Sequence, residues 1–128
     1  QAAAWATALM TPPPSLADKL GLSGGPVVLV LGQAPPEVAA VLGTTTSDAA
    51  GAALVAATVR SAAELDALPA TLAGRGGRLP VWVVHGKGRS PAPGADAVRT
   101  RMRAAGYRDT KVSAVSDEWS ATRYHPRA

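Results

Sequence analysis

Cysteine is absent from the 128 residues, which excludes a disulfide framework and a thiolate metal centre alike. Phenylalanine is absent too, leaving three tryptophans and two tyrosines as the aromatic complement. The core must therefore come from Val, Leu and Ala, with Trp as its main bulk. Such small side chains suit a sheet and helices that approach closely in a layered α/β arrangement. No apolar run reaches the roughly 20 residues that span a bilayer. The opening QAAAWATAL lacks a basic leader and is too short for a secretory signal. The expected location is cytoplasmic. Met10 is the natural start of the domain, so residues 1–9 are expected to be non-native to it.

Acidic residues are the scarcer charge, nine against 13 basic, for a net charge of +4. The excess falls late, at Arg75, Arg78, Lys87, Arg89, Arg99, Arg101, Arg103, Arg108, Lys111, Arg123 and Arg127. That bias can attract nucleic acid or phosphate-bearing ligands, and it can equally be a solvated basic surface. No aromatic nucleic-acid motif is interleaved with it. The two histidines, His85 and His125, have no fixed spacing to acids, so no metal site is expected.

What is present reads as one domain over 15–128 behind a flexible proline-rich lead, 1–14. Ser15 caps a short helix over 16–20 that Gly21 ends. The run VVLVL, 27–31, has the length and composition of a strand buried on both faces. Pro35 and Pro36 open a helix over 37–42. Residues 44–51 read as loop, and AALVAATV, 52–59, as the second buried strand. Ser61 and Glu64 form a capping box. Ala62, Leu65, Leu68 and Leu72 follow at helical spacing, with a kink or break expected at Pro69. A third strand runs over 79–85; strand, helix and strand this close imply parallel pairing through a right-handed crossover. After a Gly- and Pro-rich loop, a helix spans 95–105. A strand over 111–116 and an antiparallel return over 119–125 close the chain.

Four segments carry a family resemblance: LADKLGLSGGPVVLVLG, AALVAATVRSAAELDALPATLAGRGGRLPVWVV, HGKG and KVSAVSDEWSATRYHPR. Together they resemble a bacterial family catalogued as domain of unknown function 3052, over 16–127. In that family a lysine follows the Trp-containing strand, here Lys87, and the closing hairpin carries Trp-Ser and a downstream Arg, here Trp119, Ser120 and Arg123. Ala121 stands where glycine is common, and His85-Gly86 where a proline is common. The resemblance brings no activity. It implies a three-layer, Rossmann-like, mostly parallel five-stranded sheet of truncated methyltransferase-like topology. The implied strand order is first, second, third, fifth, fourth, with the fifth antiparallel between its neighbours.

A dinucleotide or S-adenosylmethionine site needs a glycine-rich first turn and a ribose-binding carboxylate at the next strand end. Here the turn is Gly32-Gln33-Ala34-Pro35-Pro36, and the next strand ends in Thr58-Val59-Arg60. No cofactor is therefore expected, and no catalytic residue is assigned. Gln33, Thr58, Arg60, His85, Lys87 and Arg89 should gather outside the strand ends as a cationic rim able to hold a small anion. Their plainer reading is as loop residues at a wet sheet edge. Trp119, Ser120 and Arg123 read as structural: the Trp119 ring closing the core near Trp82 with its indole N–H on the turn backbone, Ser120 satisfying a backbone group, and Arg123 pairing with Asp117 or Glu118. The leading expectation is a non-catalytic module binding a small anionic ligand or a protein. The alternatives are a degenerate methyltransferase-like enzyme and a weak nucleic-acid binder acting through the basic C-terminal half. No membrane association is expected.

Overall fold

The computed structural model describes residues 15–75 and 78–127. The expected lead, 1–14, lies outside them. The elements are α1 (Leu16–Lys19), β1 (Val28–Leu31), α2 (Pro36–Ala39), β2 (Thr45–Thr46), a 3₁₀ turn (Ala49–Gly51), β3 (Leu54–Thr58), α3 (Ala62–Arg75), β4 (Val81–Gly86), α4 (Ala95–Ala104), β5 (Tyr107–Ala114) and β6 (Trp119–Pro126). No helix among the described residues is long and apolar enough to cross a membrane.

The sheet has six strands in the order β2-β1-β3-β4-β6-β5. β2, β1, β3 and β4 pair in parallel, and β6 is antiparallel to both β4 and β5. The expected order holds, but the count of five is corrected to six. The added strand is Thr45–Thr46, hydrogen-bonded to the outer edge of β1 in what reads from composition as loop.

The strands β1, β3, β4 and β6 divide their side chains between two cores. Leu29, Leu31, Val55, Ala57, Val81, Val83 and Tyr124 meet Leu65, Leu68 and Leu72 of α3 and Val98 and Met102 of α4. On the opposite face Val28, Ala56, Trp82, Val84 and Ala121 meet Leu20, Leu22 and Val38. The first layer is two long helices and the second is two single turns. Each fully buried Val or Leu contributes about 1.5–3 kcal/mol, so both layers are anchored mainly by burial.

α3 continues through Pro69 to Arg75 instead of breaking there. Proline costs about 3 kcal/mol inside a helix. Leu65 and Leu68 before it and Leu72 after it are all buried in one core, which offsets that cost. β5 begins at Tyr107, four residues ahead of its expected start. Gly106, at φ 92°, ends α4 and turns the chain directly into it.

Candidate functional site

The chain leaves β1 toward β2 on one side and returns to β3 on the other. The carboxyl ends of β1 and β3 are therefore the topological switch point, where open α/β sheets place their ligands. At β1 the strand ends in Gly32, with φ 75° and an ideal Cβ position only 2.7 Å from the Thr58 carbonyl oxygen. Glycine is required there by both conformation and space.

Arg60 spans this switch point. Its Nε and Nη2 donate to the Gln33 carbonyl oxygen at 3.2 and 2.8 Å. Its guanidinium carbon lies 5.0 Å from the centroid of the Trp119 ring, within cation–π range. The loop that carries Arg60 is fixed by the helix start. The Arg60 amide donates to Glu64 Oε1 at 2.6 Å, and the Glu64 amide donates to Ser61 Oγ at 3.2 Å. The capping box exists, with the Glu64 carboxylate reaching Arg60 instead of Ser61.

Lys87 is anchored to the closing hairpin. Its Nζ donates to the Ser116 carbonyl at 3.2 Å and its amide to the Glu118 carbonyl at 3.0 Å. His85 is buried, 1% exposed. Its Nδ1 lies 3.1 Å from the Gly86 carbonyl oxygen, so Nδ1 carries the proton, and Nε2 accepts from the Thr122 hydroxyl at 2.8 Å. Burial is the main cause that holds its imidazole below the usual histidine range. Arg89 is exposed on the loop after β4.

The expected rim is thus two separate arrangements. Gln33, Arg60 and Trp119 meet at the switch point. His85 lies on the other face of the sheet, where it lines a cavity of about 400 Å³ with Lys87, Ser90, Val112 and Ser120. The cavity beside Trp119, about 390 Å³, is bordered by Glu37, Asp117 and Glu118. That lining is acidic, so the anion expected at this edge meets carboxylates. A third cavity, about 670 Å³, is an apolar groove between α3 and α4 with Ala62, Leu65, Pro91 and Ala97 in its walls. It lies on the outer helical layer, where Arg101 and Asp66 pair at 3.7 Å.

The closing hairpin is assembled differently from its expected contacts. Trp119 is half-buried against the second core and carries Arg60 on its ring. The turn is bonded through its backbone, with the Trp119 carbonyl accepting from Val115 and Ser116. The indole that bonds a distant backbone group is that of Trp82, whose Nε1 donates to the Leu20 carbonyl at 2.8 Å. Ser120 Oγ donates to the Ser113 carbonyl of the neighbouring strand at 3.0 Å. Arg123 makes no ion pair with Asp117 or Glu118. It stands opposite Trp82 and Lys111, several residues up the strand from the turn.

Thr122, the partner of His85, went unread in the sequence. Two residues beyond Ser120 on a predicted strand it could be placed on a face, but nothing told which neighbour lay across from it. Among the described residues no group of three or more His, Asp or Glu is arranged to hold a metal ion. No protein-family model, curated protein or solved structure matches the chain.

Proposed function

We propose that this chain is a non-catalytic binding module of Rossmann-like type, related to the domain of unknown function 3052 family. In this reading its nucleotide crevice is closed by its own side chains and it works through its surface toward an anionic partner. The observation that carries the reading is Arg60, lying between the β1 and β3 turns with its donors on the Gln33 carbonyl and its face on Trp119. A nucleotide entering the switch point would have to displace both contacts. It would then meet Pro35 and Pro36, which have no amide to offer a phosphate. His85 fits the same reading, since both ring nitrogens are already bonded within the fold. A degenerate methyltransferase-like enzyme is the competing reading.

The test is a thermal-shift screen with S-adenosylmethionine, dinucleotides and nucleoside triphosphates, on the native chain and on Arg60→Ala. The native chain is expected to show no stabilisation by any of them. Stabilisation of the native chain by S-adenosylmethionine or a nucleotide would show a working cofactor site and overturn the proposal.

A further inference from the structure

The register of β5 on β6 slips at one residue. Arg108 stands opposite His125 and Asp109 opposite Tyr124, but Lys111 stands opposite Arg123, so Thr110 is an inserted bulge residue. Facing residues of an antiparallel pair share a side of the sheet. The bulge therefore turns Arg108 and Lys111, three apart in sequence, onto one face with Arg123 and His125. That face is the one on which Ala121 packs beside Trp82. The acidic residue of β5, Asp109, is sent to the other side, where Arg103 bonds it at 2.9 Å and Arg99 lies at 3.6 Å. Bulges commonly re-aim side chains in this way.

The result is a concentrated positive surface. Arg108 and Lys111 are exposed, and Arg123 and His125 are half-buried. Among the described residues the ion pairs involve Arg99, Arg101 and Arg103, and none involves Arg108, Lys111 or Arg123. Lys111 and Arg123 face each other directly, an unfavourable placement of like charges. The field reaches His125, whose imidazole is held below its usual range by partial burial and then by Arg123 and Arg108. A bound polyanion would turn this repulsion into attraction.

Two features select the polyanion. Lys111 and Arg123 face each other on strands only about 4.7–4.9 Å apart, with Arg108 on the same face beyond the bulge, a charge density that suits a duplex carrying one negative charge per about 1.7 Å of its axis. The large apolar side chain exposed among the described residues is Val112, on the opposite face, and the one ring beside these cations, that of His125, is half-buried, so an unpaired base meets no broad stacking platform here. Cations without a stacking platform fit phosphates rather than bases.

We propose that the β5–β6 face docks the phosphate backbone of double-stranded nucleic acid, independent of base sequence, through Arg108, Lys111 and Arg123. The inference gives the binding-module reading a partner, and it does not depend on whether the strand-end crevice is closed.

The experiment is fluorescence anisotropy of the full chain with a short fluorescein-labelled DNA duplex across a salt series. Affinity should fall with salt at a log–log slope of about −3, near −0.9 for each of three phosphate contacts. Replacing Arg108, Lys111 and Arg123 together by Gln should weaken binding about tenfold or more at low salt and flatten that slope. Lys111→Gln alone, at an exposed position, should reduce the slope by about 1 even if the triple variant fails to fold. Arg101→Gln with Arg103→Gln, a loss of two positive charges on α4 against three, should leave the affinity within about twofold. No duplex binding at low salt would overturn the proposal. An equal loss in the α4 variant would also overturn it, as would tighter binding to a single-stranded homopolymer or to phosphatidylserine vesicles. A cofactor shift in the thermal screen would leave it standing, so the two readings fail separately.

Discussion

The indole Nε1 of Trp82 donates to the carbonyl oxygen of Leu20 at 2.8 Å, joining positions 62 residues apart. Leu20 closes α1, where a helix leaves its last carbonyls without intrahelical donors. The bond thus satisfies a helix end and ties the thin layer to the sheet. Trp82→Phe retains an aromatic ring but leaves a buried carbonyl unpaired. It should cost about 1–3 kcal/mol, read by chemical denaturation, with faster amide exchange at the end of α1. Unchanged stability would mean that water replaces the indole without loss.

Gly32 separates two effects that glycine substitutions usually mix. Gly32 and Gly21 have nearly the same φ, 75° and 73°. A Cβ at Gly32 would sit 2.7 Å from the Thr58 carbonyl oxygen, whereas one at Gly21 meets nothing within 4 Å. Gly21→Ala should cost about 1–2 kcal/mol, the strain of a left-handed residue. Gly32→Ala should cost more than that, because the β1–β3 turns must also part. Equal costs would show that the turns yield freely.

How much of this was readable follows from the kind of signal each element carries. The strands around Val30, Ala56 and Val83 announce themselves as unbroken apolar runs, because both faces are buried. Their order in the sheet is not in these runs; it is what the family resemblance implies. β2 escaped because Thr45–Thr46 has no pattern; its backbone pairs only because β1 offers an edge. Strand ends can be assigned from topology, which puts Gln33, Arg60 and Lys87 after the carboxyl ends of β1, β3 and β4, but not that Lys87 sits with His85 and apart from Arg60. Whether their donors face a ligand or a neighbouring carbonyl is a matter of ångströms that spacing does not encode. The basic face was hidden for a sharper reason. Period-two alternation puts Arg108 and Lys111 on opposite sides, and only the bulge at Thr110 brings them together.

Tyr124 is fully buried on the α4 side, and its hydroxyl has no hydrogen-bond partner. Burial, reinforced by Asp109, pushes its ionisation up to about 12, so it remains neutral at physiological pH. A neutral hydroxyl in an apolar core still loses its hydration. Tyr124→Phe should therefore raise stability by about 1 kcal/mol, seen as a higher denaturation midpoint at unchanged slope. A loss of similar size would reveal a partner for the hydroxyl in solution.

His85 makes stability depend on pH with a definite sign. In the fold its imidazole ionises below the ordinary value of 6.5, chiefly through burial, while the unfolded chain keeps that value. The unfolded state then binds more protons as pH falls below 6.5, so acid favours unfolding. Above that value both states are neutral and the contribution vanishes. Stability should be level between about pH 7 and 8 and decline as pH drops toward about 5, before the carboxylates titrate. His125 shares the direction of shift, so each must be removed in turn. His85→Gln leaves Thr122 poorly matched and should be less stable at neutral pH, yet flatter across the acid window. His125→Gln should keep most of the decline, because that ring is only partly buried. Denaturation midpoints at a series of pH values decide the matter. If His85→Gln declines as steeply as the native chain, the buried imidazole does not titrate as its surroundings require.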